Sequence, residues 1–430
     1  MHIALVRTEF DAARGGAERY AVNLARAWLA LGHRITVVCA RHSESDARGM
    51  EVASVSRPRL LGPYKHAWFA SRAGQAARAT GADAVLCLAR AWPGDVLRLG
   101  DGLHRPWMSM RYPDLGARRR ALFNPRHSQL LKLERELFLP GRFARYVANS
   151  AMVKRQVVHM YGVDPDRVEV IPNGVDPARF NLEARSKGQA LRVQQGIGRD
   201  TRLVLFSGMD FRRKGLAEAA RGFVALAGAT GMPLAFACVG KGDPGEAQKL
   251  LEAAGLGSRA IWREPCSAME AWYGAADLFV LPTMHDPSAN AVTEALACGT
   301  PVLTSQENGA RQHVVDGVNG YILRDRTDAG EFAARARTLL ERPPAPKAVA
   351  TASALMTVSE NAARLLAVLE QAAQERARRP QARGFTFSAA QQQLWHATQG
   401  RAARLKLLRG WLWDSGAAVS LHELARKLQA

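Results

Sequence analysis

Arg213 and Lys214 stand side by side in FSGMDFRRKGLAEAARGF, just past an apolar run and at the start of a helical pattern. Two fixed cations at a helix start can neutralise a diphosphate through charge-assisted hydrogen bonds of about 1.5 to 3 kcal/mol each. A solvated basic turn has the same composition. In DLFVLPTMHDPSANAVTEALACGTPVLTS, Asp286 and Glu294 lie eight positions apart across a loop and the start of a helix that ends at Gly299. Carboxylates accept hydrogen bonds from hydroxyls, so this pair suits a ligand with hydroxyls at both ends; taken alone, a helix-start acid and a surface acid read the same way. Gly15 and Gly16 follow the strand HIALVR and open a long helix. There the backbone can approach a ligand, and the helix dipole favours a phosphate or a sugar hydroxyl, although Gly-Gly also makes a tight turn. Asp101 and His104, in RLGDGLHRPW, fall on a crevice loop where a base or an acceptor contact is possible, and a Gly-Asp-Gly turn is also commonly structural.

Two motif matches carry little. Residues 240–245, GKGDPG, fit GxGxxG after a strand, with Glu264 at roughly the spacing of a ribose-binding acid, but Pro244 interrupts the loop and the match falls after the second strand of its group. Asp164 and Asp166 form a D-x-D within GVDPDRVEV, a turn-rich connector that reads as a turn, and no metal site is predicted. The five cysteines, Cys39, Cys87, Cys238, Cys266 and Cys298, are widely spaced and mostly within apolar runs, which predicts reduced core thiols.

Such residues need a scaffold, and the chain predicts one. Short apolar runs (IALV, ITVVC, AVLCLA, YVA, VEVI, then LVLF, LAFACV, LFVL, PVL) alternate with longer amphipathic stretches, the pattern of parallel sheets with crossover helices. The runs form two groups separated by the polar stretch 181–200. This predicts an α/β protein of two Rossmann-like domains facing a cleft: an acceptor-side domain over 1–183, a linker over 184–200, a second domain over 201–375 with a closing helix, and a basic, helical extension over 376–430. The helical pattern SENAARLLAVLEQAAQ, with Ser359 as a capping candidate, can close the second domain or cross back to the first. With 430 residues and 47% hydrophobic composition the chain has material for two cores, which excludes a disordered basic tail protein. No run of about 18 apolar residues occurs and the first twenty residues lack the blocks of a signal peptide, so a cytoplasmic chain that does not span a membrane is expected.

Taken together, the Gly-Gly helix, VANSAMVKRQVVHMYGVDPDRVEVIPNGVDPARF, SGMDFRRKG, VGKG and the carboxylate loop before EALACGTPVL resemble the retaining GT-B nucleotide-sugar glycosyltransferases of family 4 over residues 1–375. RLGDGLHRPW, DFRRKGL and ELFLPGRFARYVANS most resemble the lipopolysaccharide-core α-glucosyltransferases of that family. The resemblance implies that Arg213 and Lys214 grip the donor diphosphate, that Glu294 holds the ribose hydroxyls, and that Gly15, Gly16 and Gly240 border the donor. It places Asp101 beside the reacting sugar and acceptor, with His104 nearby. The family's E-x7-E pair begins here with Asp286, one methylene shorter, at the position that binds the transferred sugar. The implied reaction is retaining transfer of a hexose, from UDP-glucose as co-substrate and with no cofactor or metal, to a lipopolysaccharide-core or related membrane-linked glycan. Transfer of mannose or another hexose to a different surface polysaccharide is the alternative within the class. A non-catalytic glycolipid-binding scaffold is the alternative outside it, and a dinucleotide oxidoreductase is a distant third.

The positive charge is unevenly spread. Residues 101–155 hold twelve Lys/Arg against four Asp/Glu, and residues 376–430 ten against two, so each contributes +8 of the net +20. The first segment includes Arg118, Arg119, Arg120, Arg126, Lys132, Arg142 and Arg145; the second includes RAARLKLLRGWLW. Basic, aromatic helices suit an anionic membrane surface or a phosphorylated glycolipid at about 1 kcal/mol per engaged basic residue, although an Arg-rich chain with solvated faces has the same count. The expected placement is therefore peripheral, on the inner face of the cytoplasmic membrane. No nucleic-acid-binding signature accompanies the charge.

Overall fold

The structure is a computed structural model that describes residues 1–57, 62 and 64–378. It contains two large parallel sheets, besides a two-stranded one that pairs Glu9–Phe10 with Arg41–His42. The first has seven strands in the spatial order Glu51–Ser54, Arg34–Cys39, His2–Val6, Ala84–Cys87, Val96–Leu99, Arg145–Ala148 and Val168–Val170. The second has six: Ala260–Arg263, Leu234–Lys241, Arg202–Met209, Leu278–Leu281, Val302–Ser305 and Gly320–Leu323. In both, the chain starts near the middle and moves to each side in turn, which leaves a crevice beyond the carboxyl ends of the strands where the order reverses. The central strands read as continuous apolar runs because helices cover both faces; Ile3, Ala4, Leu5 and Val6 are all fully buried.

The helices follow from spacing and caps. Ala21, Val22, Leu24, Ala25 and Trp28 form the buried stripe of helix Gly16–Ala30. Ser150 accepts from the Val153 N–H at the start of helix Ala151–Tyr161, and Gly162, at φ 65°, ends it. The helix carrying Glu294, Asn290–Ala297, ends as the sequence predicts, with Gly299 at φ 73°. Asp164 caps a short 3-10 turn, Pro165–Arg167, in agreement with the turn reading of its D-x-D.

Several details differ from the sequence reading. Where a linker is predicted over 184–200, the chain forms a helix, Ala184–Gln194, that packs on helix Met269–Ala275 beside the second sheet. The contact is a close backbone approach: a Cβ on Gly188 would lie 2.3 Å from Ala275 N. The closing helix Val358–Arg378 crosses back instead of ending the second domain. Its Ala362, Leu365, Val368, Leu369 and Ala372 are buried in one cluster with Ile3, Trp28 and Ile35. Its cap is Thr357 and not Ser359: Thr357 N donates to Glu360 Oε2 at 2.7 Å and Glu360 N to Thr357 Oγ1 at 3.2 Å, a reciprocal capping box. At its far end Arg376 donates to Asp95 Oδ2 at 2.9 Å and to Asp83 O at 2.6 Å, next to the amino ends of two strands of the first sheet and away from the crevice. Four cysteines are buried free thiols, whereas Cys266 is exposed. The helical extension predicted from 376 onward, with RAARLKLLRGWLW, lies outside the described residues after Arg378.

Candidate active site

A cleft of about 900 Å³ lies between the two sheets and is lined from both. From the second sheet, strand Arg202–Met209 leads into the short helix Phe211–Lys214. Asp210 caps that helix from the left-handed region (φ 67°), the one non-glycine residue with positive φ among the described residues. This bend turns two cations back over the strand ends. Lys214 Nζ donates to Asp286 Oδ2 at 2.5 Å and Arg213 Nη1 donates to the same oxygen at 3.1 Å. Arg213 also reaches His285 O at 3.2 Å. The other carboxylate oxygen, Oδ1, accepts from Ser288 N at 3.1 Å. Burial alone would raise the Asp286 pKa, but Lys214 and Arg213 outweigh it and hold the carboxyl below its ordinary value. Asp286 is therefore an anion that already occupies both cations.

Glu294 faces the same cleft from one turn into its helix. Tyr273 Oη donates to its Oε2 at 3.1 Å. Burial pushes the Glu294 pKa up, against the hydrogen bond from Tyr273 and the positive charge of Arg179. Gly240, at φ 151°, sits where strand Leu234–Lys241 passes its neighbour, and a Cβ there would fall 1.9 Å from Gly208 O. Only glycine permits that approach, and it opens the floor beside Lys214.

From the first sheet, Asp101 lies at the cleft with its carboxylate half exposed and 3.2 Å from Arg7 Nη1; Arg7 also pairs with Glu18 at 2.7 Å. Gly16 borders the cleft, with Asn290 Nδ2 4.0 Å from where its Cβ would be, while Gly15 precedes the helix in extended backbone and does not line the cleft. His104 lines the cleft as well, but its Nε2 is 3.1 Å from His127 Nδ1 and its ring stacks on Trp107 at 5.2 Å. Burial, followed by the charge of Arg90, pushes its pKa down to about 3, so the ring stays neutral across the physiological range.

Asp101, Arg213, Lys214, Gly240, Asp286 and Glu294 thus converge on one cleft, joined by Gly16 and His104. Sequence reasoning passed over five more residues that line it: Arg7, Tyr20, Arg98, Asn173 and Asn290. Arg7 directly follows the first strand, and a cation at the carboxyl end of a buried parallel strand is itself a signal. Arg98 is buried, lies over the Tyr20 ring at 3.9 Å and donates to Asn173 Oδ1 at 2.5 Å. Asn173 in turn donates to Asn290 Oδ1 at 2.6 Å, which joins the first sheet to the helix of Glu294. In sequence, Arg98 is one polar letter in VLRL, with no pattern around it.

Two family models match the chain: Glycosyltransferase Family 4 over residues 14–179 and Glycosyl transferases group 1 over residues 201–342. Among curated relatives, a D-inositol 3-phosphate glycosyltransferase of Thermomonospora curvata is 34% identical over 213 residues, covering 46% of this chain and 49% of the relative. One of the same name from Geodermatophilus obscurus is 37% identical, covering 46% of each. The chain thus spans about half the length of these relatives. The crystal structure of WaaG, a glycosyltransferase involved in lipopolysaccharide biosynthesis, superposes with TM-score 0.69 at 20% identity over 87% of this chain and 99% of that one. Anabaena Alr3699/HepE, solved in complex with UDP and glucose, superposes with TM-score 0.60 at 18% identity over 88% and 100%. These likenesses show the GT-B fold, and the two family models, one matching the first domain from residue 14 onward and the other the second domain, mark the chain as a glycosyltransferase.

Proposed function

We propose that this protein transfers a hexose from a nucleotide sugar, UDP-glucose in our reading, to a hydroxyl of a lipopolysaccharide-core or related membrane-linked glycan, with retention of configuration. The observation that carries this is the convergence of Arg213 and Lys214 on one oxygen of Asp286 in the cleft between the sheets. Cleaving a sugar from a nucleoside diphosphate builds negative charge on the leaving phosphate, and preorganised cations in a cleft stabilise that charge strongly. A donor diphosphate would draw Lys214 and Arg213 onto its own oxygens. Asp286, thereby freed on Oδ2, would accept from a hydroxyl of the hexose. Glu294, steadied by Tyr273, would accept from the ribose hydroxyls. Asp101 stands on the opposite wall, where the acceptor hydroxyl must enter, and Arg7 fixes its orientation. Closure of the two walls would exclude water and limit donor hydrolysis.

The membrane part of the reading rests on the first basic segment. Helix Leu115–Ala121 has no buried residue, and Leu115 (66% exposed), Leu122 and Phe123 (86% exposed) stand among Arg118, Arg119 and Arg120. Apolar tips ringed by arginines suit the headgroup boundary of an anionic bilayer. No helix among the described residues is long and apolar enough to cross a membrane. A second reading of the acceptor is favoured by the curated relatives, whose names specify D-inositol 3-phosphate: a soluble phosphorylated polyol in place of a lipid-linked glycan. Incubating the protein with UDP-glucose and each acceptor class, and assigning the anomeric configuration of the product by NMR, tests both readings. An α-linked glucoside on the lipid-linked glycan supports the first, and an α-linked glucoside on the phosphorylated polyol the second. An inverted product or transfer to neither would refute the proposal.

A further inference from the structure

The cleft wall that faces Asp286 from the first sheet carries positive charge that no acid answers among the described residues. Arg90, just after strand Ala84–Cys87, makes a single contact, from Nη2 to Gly102 O at 3.5 Å. Arg126 opens helix Pro125–Leu137, and only its backbone N–H is engaged, donating to Asn124 Oδ1 at 2.9 Å. Both line the cleft. The other cations there are engaged: Arg7 by Glu18 and Asp101, Lys214 and Arg213 by Asp286, and the buried Arg98 by the Tyr20 ring and Asn173 Oδ1. The buried acid of this wall, Glu134, is spent on the backbone N–H groups of His104 and Arg105 and on the Tyr161 hydroxyl.

Around the two free guanidinium groups are rings. His104, Trp107 and His127 form a cluster of rings: His104 has its centroid 5.2 Å from each of the others at interplanar angles of 19° and 25°, and Trp107 and His127 are 5.7 Å apart. Arg90, Arg126, His104, Trp107 and His127 all line the same cleft, and both arginines contribute to the lowered His104 pKa, so the cations and the rings form one patch. A guanidinium presents a planar fork of donors that matches phosphate oxygens, and a flat ring wall suits the C–H face of a sugar or polyol.

We propose that Arg90 and Arg126, beside the His104–Trp107–His127 cluster, form a subsite for a phosphate carried by the acceptor, with the acceptor's ring held against Trp107. This rests on the transferase reading and deepens it: the acceptor class becomes a phosphorylated polyol or sugar, whether soluble or lipid-borne. The subsite lies on the wall opposite the donor cations, so the phosphate would anchor the acceptor while its hydroxyl reaches Asp101.

The test uses the full chain with UDP held saturating, so that Arg213 and Lys214 are occupied. Calorimetric titrations would use myo-inositol 1-phosphate, unphosphorylated myo-inositol, and phosphatidylcholine vesicles with and without phosphatidic acid. The subsite predicts that a phosphorylated probe binds, that its unphosphorylated counterpart does not, and that the double variant Arg90→Gln/Arg126→Gln weakens binding about tenfold or more with UDP affinity within about twofold of wild type. Arg126→Lys in the wild-type background should retain most of the binding. Dependence on the two arginines for the inositol phosphate identifies a soluble source, and dependence for the vesicles a lipid-borne one; either supports the subsite. Binding unchanged in the double variant, or absent for both phosphorylated probes in the wild type, overturns it. Failure of the transferase reading would show separately, as no UDP binding by the wild type; the phosphate titrations would then be run in the Lys214→Ala background, where the donor cations contribute least.

Discussion

Gly102 and Pro287 meet across the cleft: a Cβ on Gly102 would stand 2.3 Å from Pro287 Cγ, and Gly102 itself has φ 66°. Each is the next residue after a carboxylate of the site, Asp101 on one wall and Asp286 on the other. Ser150 Oγ reinforces the junction by donating to Pro287 O at 2.7 Å. The spacing of the two carboxylates is thus set by a glycine contact. Gly102→Ala combines a left-handed backbone with a clash, and we expect it to cost roughly 1 to 3 kcal/mol of stability. Transfer should fall more than about tenfold while UDP affinity stays within about twofold, since displacing a reacting group by an ångström can cost on the order of a hundredfold. Steady-state kinetics beside calorimetric UDP binding check this split.

Asp286→Asn leaves Lys214 and Arg213 facing each other without their shared anion. Removing one partner of a buried ion pair costs about 3 to 5 kcal/mol, and because Arg213 is partly exposed we expect the lower end or below. UDP should compensate, raising the melting temperature of the variant by more than that of the wild type. The pH sign follows from the depressed carboxyl: the stabilisation is present above the ordinary aspartate value of 3.8 and is lost as pH falls through the lower folded value. Asp286→Asn should lose stability at neutral pH and converge with the wild type in strong acid, as read by thermal melts across pH.

Glu294 shifts the other way. Its folded pKa lies above 4.5, so acid favours the protonated form in the native state, and the stability that this lends is lost as pH rises from 4.5 through the folded value. Accepting from ribose hydroxyls needs the carboxylate, so donor affinity should drop as pH falls through that raised value. Glu294→Gln should bind donor about tenfold more weakly at neutral pH, the loss of a charged hydrogen-bond acceptor, and should lack the acid limb. A profile of donor KM against pH for both proteins decides it.

The rim at Leu115, Leu122 and Phe123 makes a separate prediction. Burying a large apolar side chain contributes about 1.5 to 3 kcal/mol, so Leu115→Ser with Phe123→Ser should reduce binding to anionic vesicles by about tenfold or more. Hydrolysis of the donor in solution should be unchanged, because helix Leu115–Ala121 contributes nothing to the cleft lining. Co-sedimentation with vesicles and a donor hydrolysis assay on the same preparations measure both.

How far the sequence reveals this arrangement depends on what each residue faces. Most central strands are legible because a strand covered on both faces is mainly apolar, but Val96–Leu99, buried inside the first sheet, escapes because Arg98 interrupts its run. The edge strands Glu51–Ser54, Ala260–Arg263 and Gly320–Leu323 escape, since each is partly solvated and carries no such run. Helix Ala184–Gln194 hides because it buries only Ala184 and Gly188, and small residues in close backbone contact leave no apolar stripe. The apolar face of Val358–Arg378 is plain in the letters, but its partner is not; only the fold reveals that it returns to Trp28. At the site, Arg213, Lys214, Asp286 and Glu294 are legible from residue type beside strand ends. Arg98 and Asn173 matter through contacts with Tyr20 and Asn290, residues distant in sequence, which no local pattern encodes.

The account's central claim is that Lys214 and Arg213 hold a donor diphosphate in this cleft. The most direct measurement is a thermal-shift and hydrolysis screen of the full chain against UDP-, GDP-, ADP- and dTDP-sugars, with and without EDTA, for the wild type and Lys214→Ala. The account predicts that one donor, UDP-glucose, stabilises the wild type and is turned over with or without EDTA. Lys214→Ala should lose at least about tenfold of both, the worth of one charge-assisted contact to phosphate. Stabilisation by a nucleotide sugar that is equal in wild type and Lys214→Ala, or by none of the donors, would contradict it.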